Sequence, residues 1–496
     1  MKKLLLYTLL FILFLSNAVL PQPKVDLKLS GLSFINGDDL IKNIEYFASE
    51  ELQGRLAGSE GYYKAANYAA DIFSKLGLTP LPGNSYFQKF NIEYNEIKSP
   101  CRFYLYKNNG EIINYKLGND FVCRGFTGSG KFEAPVVFCG YGMADEKLNY
   151  DDYKDIDVNG KIVIIFKQDC SWNQGNPGNG NLRYKASLAA KHGAKAMIFV
   201  SKPNDKNPQK PIGSVMDGAG EHLADFPMIH IDLQVADELF KGTGYSINDL
   251  QTKIDEDKKP VSLNINQKAG IEITAEYSKD KETVNIVGLL EGSDPVLKGE
   301  YVIIGAHLDH VGNQAGEIYF PGANDNASGS SAVIEVAKAF VNSGVKPKRS
   351  IVFILFSSEE AGLLGAQYYA DNPVYPLDNT VAMFNLDCIA YGDSIRIGNG
   401  ESAPELYRFA VKNNSEFINQ MVEGTWKGGG ADATPFHNKG VPCLYFVTTN
   451  SYDHLHLMSD KVETLNKRLY EKITKLAYLT LFDIANGEYS REEVKK

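Results

Sequence analysis

The chain has 496 residues, of which 44% are hydrophobic and 23% are charged, as expected for a globular protein of one to three domains. Its net charge of −10 argues against a nucleic-acid-binding protein, which needs a basic face. No two cysteines form a CxxC pair, so the sequence offers no thiolate zinc site. The even cysteine count permits disulfides in an exported chain: Cys101, Cys123, Cys139, Cys170, Cys388 and Cys443.

The N-terminus predicts export. A basic start at residues 1–3 is followed by an apolar run at residues 4–15 and by small residues that end at Ala18. This pattern is typical of a secretory signal peptide over residues 1–18, and the run is too short for a comfortable membrane span. We expect the mature protein in the periplasm or outside the cell, without stable membrane insertion. An uncleaved N-terminal anchor is the alternative.

The segment up to residue 114 begins with helices and continues with strands. Apolar spacing predicts a helix over residues 38–47, with Asp38 as its cap, and a second helix over residues 60–76. A polar loop with several glycines lies between the helices, at residues 52–59. Alternating patterns predict strands over residues 86–93 and 101–107.

Residues 115–268 differ in character and predict a small independent α/β module. Short strands are expected at 136–140, 161–167 and 196–200, with a helix at 184–192 and a Gly, Asn and Pro-rich loop at 173–181. This segment contains no acid/base pair and no spacing typical of metal ligands.

From about residue 270, continuous apolar strands alternate with helices. The strands are predicted at 284–291, 301–305, 350–356 and 380–386, and the main helix at 328–342. This alternation is typical of an α/β fold with a mostly parallel or mixed central sheet, buried on both faces. Ligands of such folds bind beyond the carboxyl ends of the strands.

Candidate metal ligands follow those strand ends. His307, Glu359, Glu360 and Asp387 each come just after a predicted strand. Zinc binds histidine nitrogen and carboxylate oxygen readily, and two metals about 3.5–4 Å apart need a bridging carboxylate. Asp325, in the small-residue turn 322–329, suits the bridging position because small residues allow close backbone approach.

Neighbouring residues complete the predicted site. Asp309 is placed to accept a hydrogen bond from the second ring nitrogen of His307 and so to orient it. One of the paired glutamates would bind metal while the other acts as general base, and the residues alone leave the division open. His456, with Asp460 four residues later, is a further candidate. His310 and His454 flank the ligands, and His437 is a candidate for the pocket wall.

These residues resemble peptidase family M28, the dizinc aminopeptidases. The matching motifs are His307-Leu308-Asp309, the turn 322–329, the Glu-Glu-Ala-Gly-Leu-Leu-Gly stretch at 359–365, Asn385-Leu386-Asp387, and His456 followed by Asp460. The segment 54–59 resembles the N-terminal segment of the family. Residues 428–436 resemble its glycine-rich pocket loop, and the middle module resembles the inserted protease-associated (PA) domain.

The resemblance implies a phosphorylase/hydrolase-like zinc exopeptidase fold over residues 24–114 and 269–490, with a PA domain over 115–268. It implies two zinc ions, the first held by His307 and Asp387 and the second by Glu360 and His456, with Asp325 bridging. It also implies Glu359 as general base and places Asp432 and Phe436 in the substrate pocket. The substrate would be a peptide with a free N-terminus.

Two alternatives share this fold. A glutaminyl-cyclase-like enzyme keeps similar ligands but usually works with one zinc and does not hydrolyse peptides. A receptor-like binding protein has lost the ligands, whereas every ligand position is filled here.

Overall fold

A long, mixed β-sheet runs through the whole protein and is covered by helices. The computed structural model describes residues 27–107, 109–173 and 180–495, so the expected signal peptide and most of the loop 173–181 lie outside it. In the described residues no helix is long and apolar enough to cross a membrane. All six cysteines are buried and unpaired.

The α-helices of the described residues are, in chain order, α1 Leu27–Leu32, α2 Gly37–Phe47, α3 Glu60–Lys75, α4 Leu182–Lys191, α5 Leu233–Phe240, α6 Ile247–Asp257, α7 Gly329–Asn342, α8 Leu364–Asp371, α9 Pro404–Asn413, α10 Ala433–Asn438 and α11 Lys467–Ala485. The predicted cap of α2 is wrong by two residues. The Asn36 side chain, rather than that of Asp38, accepts hydrogen bonds at this N-terminus, from the backbone of Asp38 and Asp39.

The strands are, in chain order, β1 Phe87–Tyr106, β2 Ile112–Asn114, β3 Phe121–Cys123, β4 Gly130–Cys139, β5 Ala144–Asp145, β6 Tyr150–Asp151, β7 Ile162–Phe166, β8 Ala196–Val200, β9 Met228–Ile231, β10 Ser262–Leu290, β11 Tyr301–His307, β12 Asn313–Gln314, β13 Ile318–Tyr319, β14 Ser350–Phe356, β15 Thr380–Leu386, β16 Ile395–Gly398 and β17 Cys443–Thr448. Along the sheet the order is β16-β17-β15-β11-β14-β10-β4-β7-β8-β9-β3, and β1 pairs with β10.

Strands β11, β14, β15 and β17 form a parallel region of the sheet, as predicted. Strand β11 lies between β14 and β15 and runs parallel to both, and β15 is parallel to β17. Strands β14 and β15 are buried along their whole length, which explains why their sequences are continuously apolar. Helices α2, α3, α7 and α11 pack on one face, and α8 and α10 pack on the other. The predicted α/β fold class is confirmed.

Strands β1 and β10 join the two halves of the molecule. The sequence predicts two strands over residues 86–107, but the structure has one strand of 20 residues. It pairs antiparallel with β10 from Phe87 opposite Ile286 to Tyr106 opposite Lys268. Strand β10 also pairs with β14 at one end and with β4 at the other. The predicted boundary between residues 268 and 269 therefore falls inside β10, and the domain limits stay predictions.

Candidate metal centre

The carboxyl ends of three neighbouring strands bring the candidate ligands together. Strand β11 ends at His307, β14 ends at Phe356 just before the Ser-Ser-Glu-Glu stretch, and β15 ends one residue before Asp387. Because the three strands are parallel neighbours, these ends meet at one edge of the sheet. The clustering expected from strand position is thus present in the structure.

Asp325 lies at the middle of the cluster and faces two histidines. It sits in the irregular turn Ala323–Ser328 that precedes α7, and it is 4% exposed. Its Oδ1 atom lies 3.3 Å from Nε2 of His307, and its Oδ2 atom lies 3.2 Å from Nε2 of His456. One carboxylate therefore presents a separate oxygen to each of two groups of side chains, as a bridging ligand must.

The first group contains His307, Asp387 and Glu359. Nε2 of His307 lies 3.4 Å from Oδ1 of Asp387 and 3.9 Å from Oε2 of Glu359. The other oxygen of Asp387 accepts a hydrogen bond from the hydroxyl of Tyr445, at 3.1 Å. Oδ1 of Asp387 is buried and has no hydrogen-bond partner among the described residues. It is thus free for a cation beside His307.

The second group contains Glu360, His456 and His310. Oε2 of Glu360 lies 2.8 Å from Nε2 of His456, and its Oε1 lies 2.8 Å from Nδ1 of His310. His310 is fully buried, and its Nδ1 is also 3.6 Å from Oδ2 of Asp325. The sequence places His310 only beside the ligands, but the structure makes it a direct neighbour of two of them. His454 lies apart and contacts Ser459 through Nδ1.

Asp309 has a role that differs from the expected one. The nearest partner of Nδ1 of His307 is the backbone carbonyl of Asp309, at 3.2 Å, while the Asp309 carboxylate is 3.8 Å away. That carboxylate accepts hydrogen bonds from the backbone N–H groups of Glu359 and Glu360, at 3.2 and 3.4 Å. Asp309 therefore positions both the histidine and the glutamate pair.

Asp460 holds the turn that carries Asp325. Its two carboxylate oxygens accept hydrogen bonds from the backbone N–H groups of Asn324 and Asp325, at 2.8 and 3.0 Å. The sequence marks Asp460 only as the aspartate four residues after His456 and does not predict this contact. A carboxylate supplies an acceptor at both oxygens, whereas an asparagine supplies one and turns an N–H₂ group toward the other backbone donor.

Asp460→Asn should therefore weaken metal binding by about 10–100-fold without unfolding the protein, as loss of a partner that orients a ligand typically does. Competition titration against a chromogenic chelator measures the affinity. Asp453→Asn, at an exposed position of the same loop, is the control. Unchanged affinity for both metal ions in Asp460→Asn would refute the role.

Arg55, in the segment 54–59, supports the same turn from the other side of the chain through backbone carbonyls. Its guanidinium is fully buried and donates to the backbone carbonyls of Leu308 at 2.9 Å, Pro321 at 2.8 Å and Gly322 at 3.1 Å, and also to that of Phe47. Burial lowers the pKa of Arg55 to about 10, while Asp325, Asp460 and other acids oppose the shift. At neutral pH it stays protonated and balances part of the acidic charge.

The pKa shifts reflect burial and crowded charge. Burial would lower the pKa of His307, but Glu359, Asp325 and Asp387 raise it well above its ordinary value. Burial favours a neutral Asp325, yet His307 and His456 hold its pKa well below the usual range. Burial raises the pKa of Glu359, and the neighbouring carboxylates, Asp432 among them, add to the shift. Such crowding of buried carboxylates favours a bound cation.

The donor set fits two metal ions. One set of ligand atoms, from His310, Asp325, Glu360 and His456, lies within 4.8 Å of one another, as does another set from His307, Glu359 and Asp387. The chemistry of both sets, nitrogen and carboxylate oxygen, suits a transition metal such as zinc. In the part of the chain that the structure describes, buried Oδ1 of Asp387 and Nε2 of His310 have no hydrogen-bond partner.

The two residues expected in the substrate pocket, Asp432 and Phe436, are both buried. Asp432 is fully buried, and neither oxygen of its carboxylate has a hydrogen-bond partner in the described residues. Burial raises its pKa well above the usual range. Phe436 is also fully buried and packs against Phe356 and Tyr369 below the sheet. Phe436 thus lies in the core, and its expected substrate contact stays a prediction.

Comparison with known families agrees with this geometry. Residues 285–481 match peptidase family M28, and residues 132–239 match the PA domain. Residues 285–481 therefore form a segment of peptidase family M28, which makes the protein a hydrolase. The PA domain lies between β3 and β10.

Relatives and solved structures extend the match beyond the family segments. The chain is 24% identical over 470 residues to aminopeptidase YwaD of Bacillus subtilis, covering 90% of this chain and 85% of that protein. It is 23% identical to a glutamate carboxypeptidase 2 homolog of Caenorhabditis briggsae, covering 86% of this chain and 64% of that protein. Its fold matches the structure of BSAP, a zinc aminopeptidase of Bacillus subtilis, with a TM-score of 0.65 and 20% identity over 93% of this chain and 98% of that one.

Proposed function

We propose that the protein is a dizinc aminopeptidase that removes N-terminal residues from peptides. The observation that carries the proposal is the position of Asp325, whose two oxygens face two separate groups of ligand atoms. His307 and Asp387 would hold one zinc ion, Glu360 and His456 the other, and Asp325 would bridge them. The name of the Bacillus subtilis relative, an aminopeptidase, supports the reaction class.

The side chains supply proton transfer and orientation. When bound, two zinc ions would polarise the peptide carbonyl and lower the pKa of the attacking water from about 15.7 to about 7. Glu359 would accept the proton of that water and deliver it to the leaving amine, because its carboxylate lies in the first ligand group, with Oε2 3.9 Å from Nε2 of His307. Asp309 holds the backbone of Glu359 in place during both transfers.

The metal requirement is testable by titration. We expect the purified protein to bind two zinc ions, to lose activity in chelator and to recover it when zinc is returned. Inductively coupled plasma analysis gives the stoichiometry, and an aminoacyl-4-nitroanilide gives the activity. Binding of a single zinc ion would contradict the two-metal site. Full activity after one of two bound ions has been removed would contradict it as well.

The reaction class is tested by substrates that differ at the N-terminus. An aminoacyl-4-nitroanilide should be cleaved and its N-acetylated form should not. Cyclisation of an N-terminal glutamine peptide without peptide hydrolysis would contradict the proposal and show a glutaminyl-cyclase-like enzyme instead. Release of a C-terminal glutamate from an N-blocked peptide would point instead to the reaction that names the Caenorhabditis relative.

A further inference from the structure

A loop of the PA domain reaches the rim of the metal centre. Residues 201–227 connect β8 to β9 and contain no helix or strand. Near the middle of this connection, the backbone N–H of Gly213 donates a hydrogen bond to the backbone carbonyl of His456, at 2.8 Å. A residue inserted with the PA domain is therefore bonded directly to a candidate metal ligand.

The loop is also fixed immediately after Gly213. The hydroxyl of Ser214 accepts a hydrogen bond from the backbone N–H of Gly125, at 2.9 Å. Val215 is buried against Val311 and Phe320, which follow β11 in the peptidase half. A cavity of only about 10 Å³, lined by residues of both halves, lies beside this contact. The loop is thus packed against the rim and leaves room for about one water molecule.

His456 needs such support because its backbone is strained. Its φ of +54° lies in the left-handed region, which residues with a Cβ atom rarely adopt. Conformations of this kind persist only when surrounding contacts hold them. The segment 449–460 around His456 consists of turns, so no strand or helix of its own supplies those contacts. The hydrogen bond from Gly213 is one contact that holds the backbone of His456 in this conformation.

The close approach at Gly213 leaves no room for a side chain. A Cβ atom there would lie 2.6 Å from Cγ2 of Val311 and 3.1 Å from Cδ1 and Cδ2 of the Phe320 ring. Both neighbours are buried, with 4% and 1% of their surface exposed, so neither can move into solvent freely. Any larger residue would push the loop away from the His456 carbonyl.

We propose that Gly213 is a positioning residue for His456, so that the PA domain is a structural part of the metal centre. The loop would set the backbone of His456 and thereby the direction of its ring toward Asp325 and Glu360. This inference rests on the proposed dizinc function. It predicts an effect on one metal ion and not on the other, because His307 and Asp387 make no contact with the loop among the hydrogen bonds of the described residues.

The test is the substitution Gly213→Ala with both metal affinities measured separately. We expect the zinc ion held by His456 to bind about 10–100-fold more weakly, as for loss of other groups that orient a ligand, while the affinity of the first zinc ion is unchanged. Stepwise competition with a chelator, and the absorption bands of the cobalt-substituted protein, report each site. General damage to the fold would weaken both sites equally.

Three further variants complete the experiment. Gly299→Ala is the matched control, since a Cβ atom there meets nothing within 4 Å. Val311→Ala added to Gly213→Ala removes the atom at 2.6 Å and should restore part of the lost affinity. Val215→Ala loosens the loop without adding bulk, and should weaken the binding of the same ion to a smaller extent. This variant tests the proposal even if Gly213→Ala does not fold.

The outcomes separate the two proposals. If the native protein binds no metal pair, the dizinc function fails. If the native protein binds two ions, and both folded Gly213→Ala and Val215→Ala bind them with native affinity, the positioning role alone is overturned.

Discussion

Replacing Glu359 by glutamine should lower kcat by a factor of about 10²–10⁴ while both metal ions stay bound, which is the usual contribution of a general acid–base group. Glutamine has nearly the same shape, so it preserves packing, but it cannot accept a proton. Oε2 of Glu359 is 3.9 Å from Nε2 of His307, within the first ligand group, and the Glu359 side chain is 17% exposed. It therefore borders the position that the attacking water would take.

The measurement compares kcat and metal content in the same preparation. Glu401→Gln, at an exposed position, is the control and should behave as the native protein. If metal-loaded Glu359→Gln keeps more than about a tenth of the native kcat, another group carries the proton and the role fails. If the variant loses metal instead, Glu359 is chiefly a ligand, and the division of labour between the paired glutamates must be reversed.

Arg55→Met should lower the free energy of unfolding by about 3–5 kcal/mol, the range found when one partner of a buried charged network is removed. The substitution removes the Arg55 donor from the backbone carbonyls of Phe47, Leu308 and Pro321. The carbonyl of Gly322 also loses Arg55 but keeps the N–H of Ala327. The substitution also removes the positive charge that stands against the buried acids of the centre. Both effects act in the same direction, because unsatisfied buried acceptors are unfavourable and the carboxylates repel one another.

Urea denaturation of the metal-free protein measures this effect without the contribution of bound zinc. Arg102→Met is the matched control, since Arg102 is exposed and makes a surface ion pair with Glu272, 3.4 Å away. Surface pairs contribute about 0–1 kcal/mol, so the control should change little. A loss of less than about 1 kcal/mol in Arg55→Met would show that water replaces the guanidinium, and that Arg55 is not essential to the fold.

The clustering of the candidate ligands could be predicted from the sequence because several of them follow buried parallel strands. Strands β14 and β15 have the predicted bounds, since complete burial produces uninterrupted apolar runs. The position of His307, the glutamate pair and Asp387 beyond adjacent strand ends then follows from topology. The assignment of each ligand to a particular ion stays a prediction.

Contacts made through the backbone were not predictable in this way. Arg55 acts on carbonyls more than 250 residues away, and Asp309 reaches His307 through its own carbonyl rather than its carboxylate. Neither type of contact leaves a pattern of residue types. The length of β1 was missed for a related reason. Residues 94–100 are mostly polar and include Pro100, so the apolar alternation fades where the strand continues.

The paired strands β1 and β10 limit how the two halves can move. They form a continuous ladder from Phe87 to Tyr106, with irregular register only between Ile92 and Tyr94 and between Lys98 and Cys101. Swinging the PA domain away as a lid would require rupture of many ladder hydrogen bonds at once, and bending is confined to those two bulges. Substrate admission must therefore depend on small adjustments of loops and side chains around a rigid frame. The time needed to open the site would then be that of loop motion, nanoseconds to microseconds, rather than the microseconds to milliseconds of domain hinges.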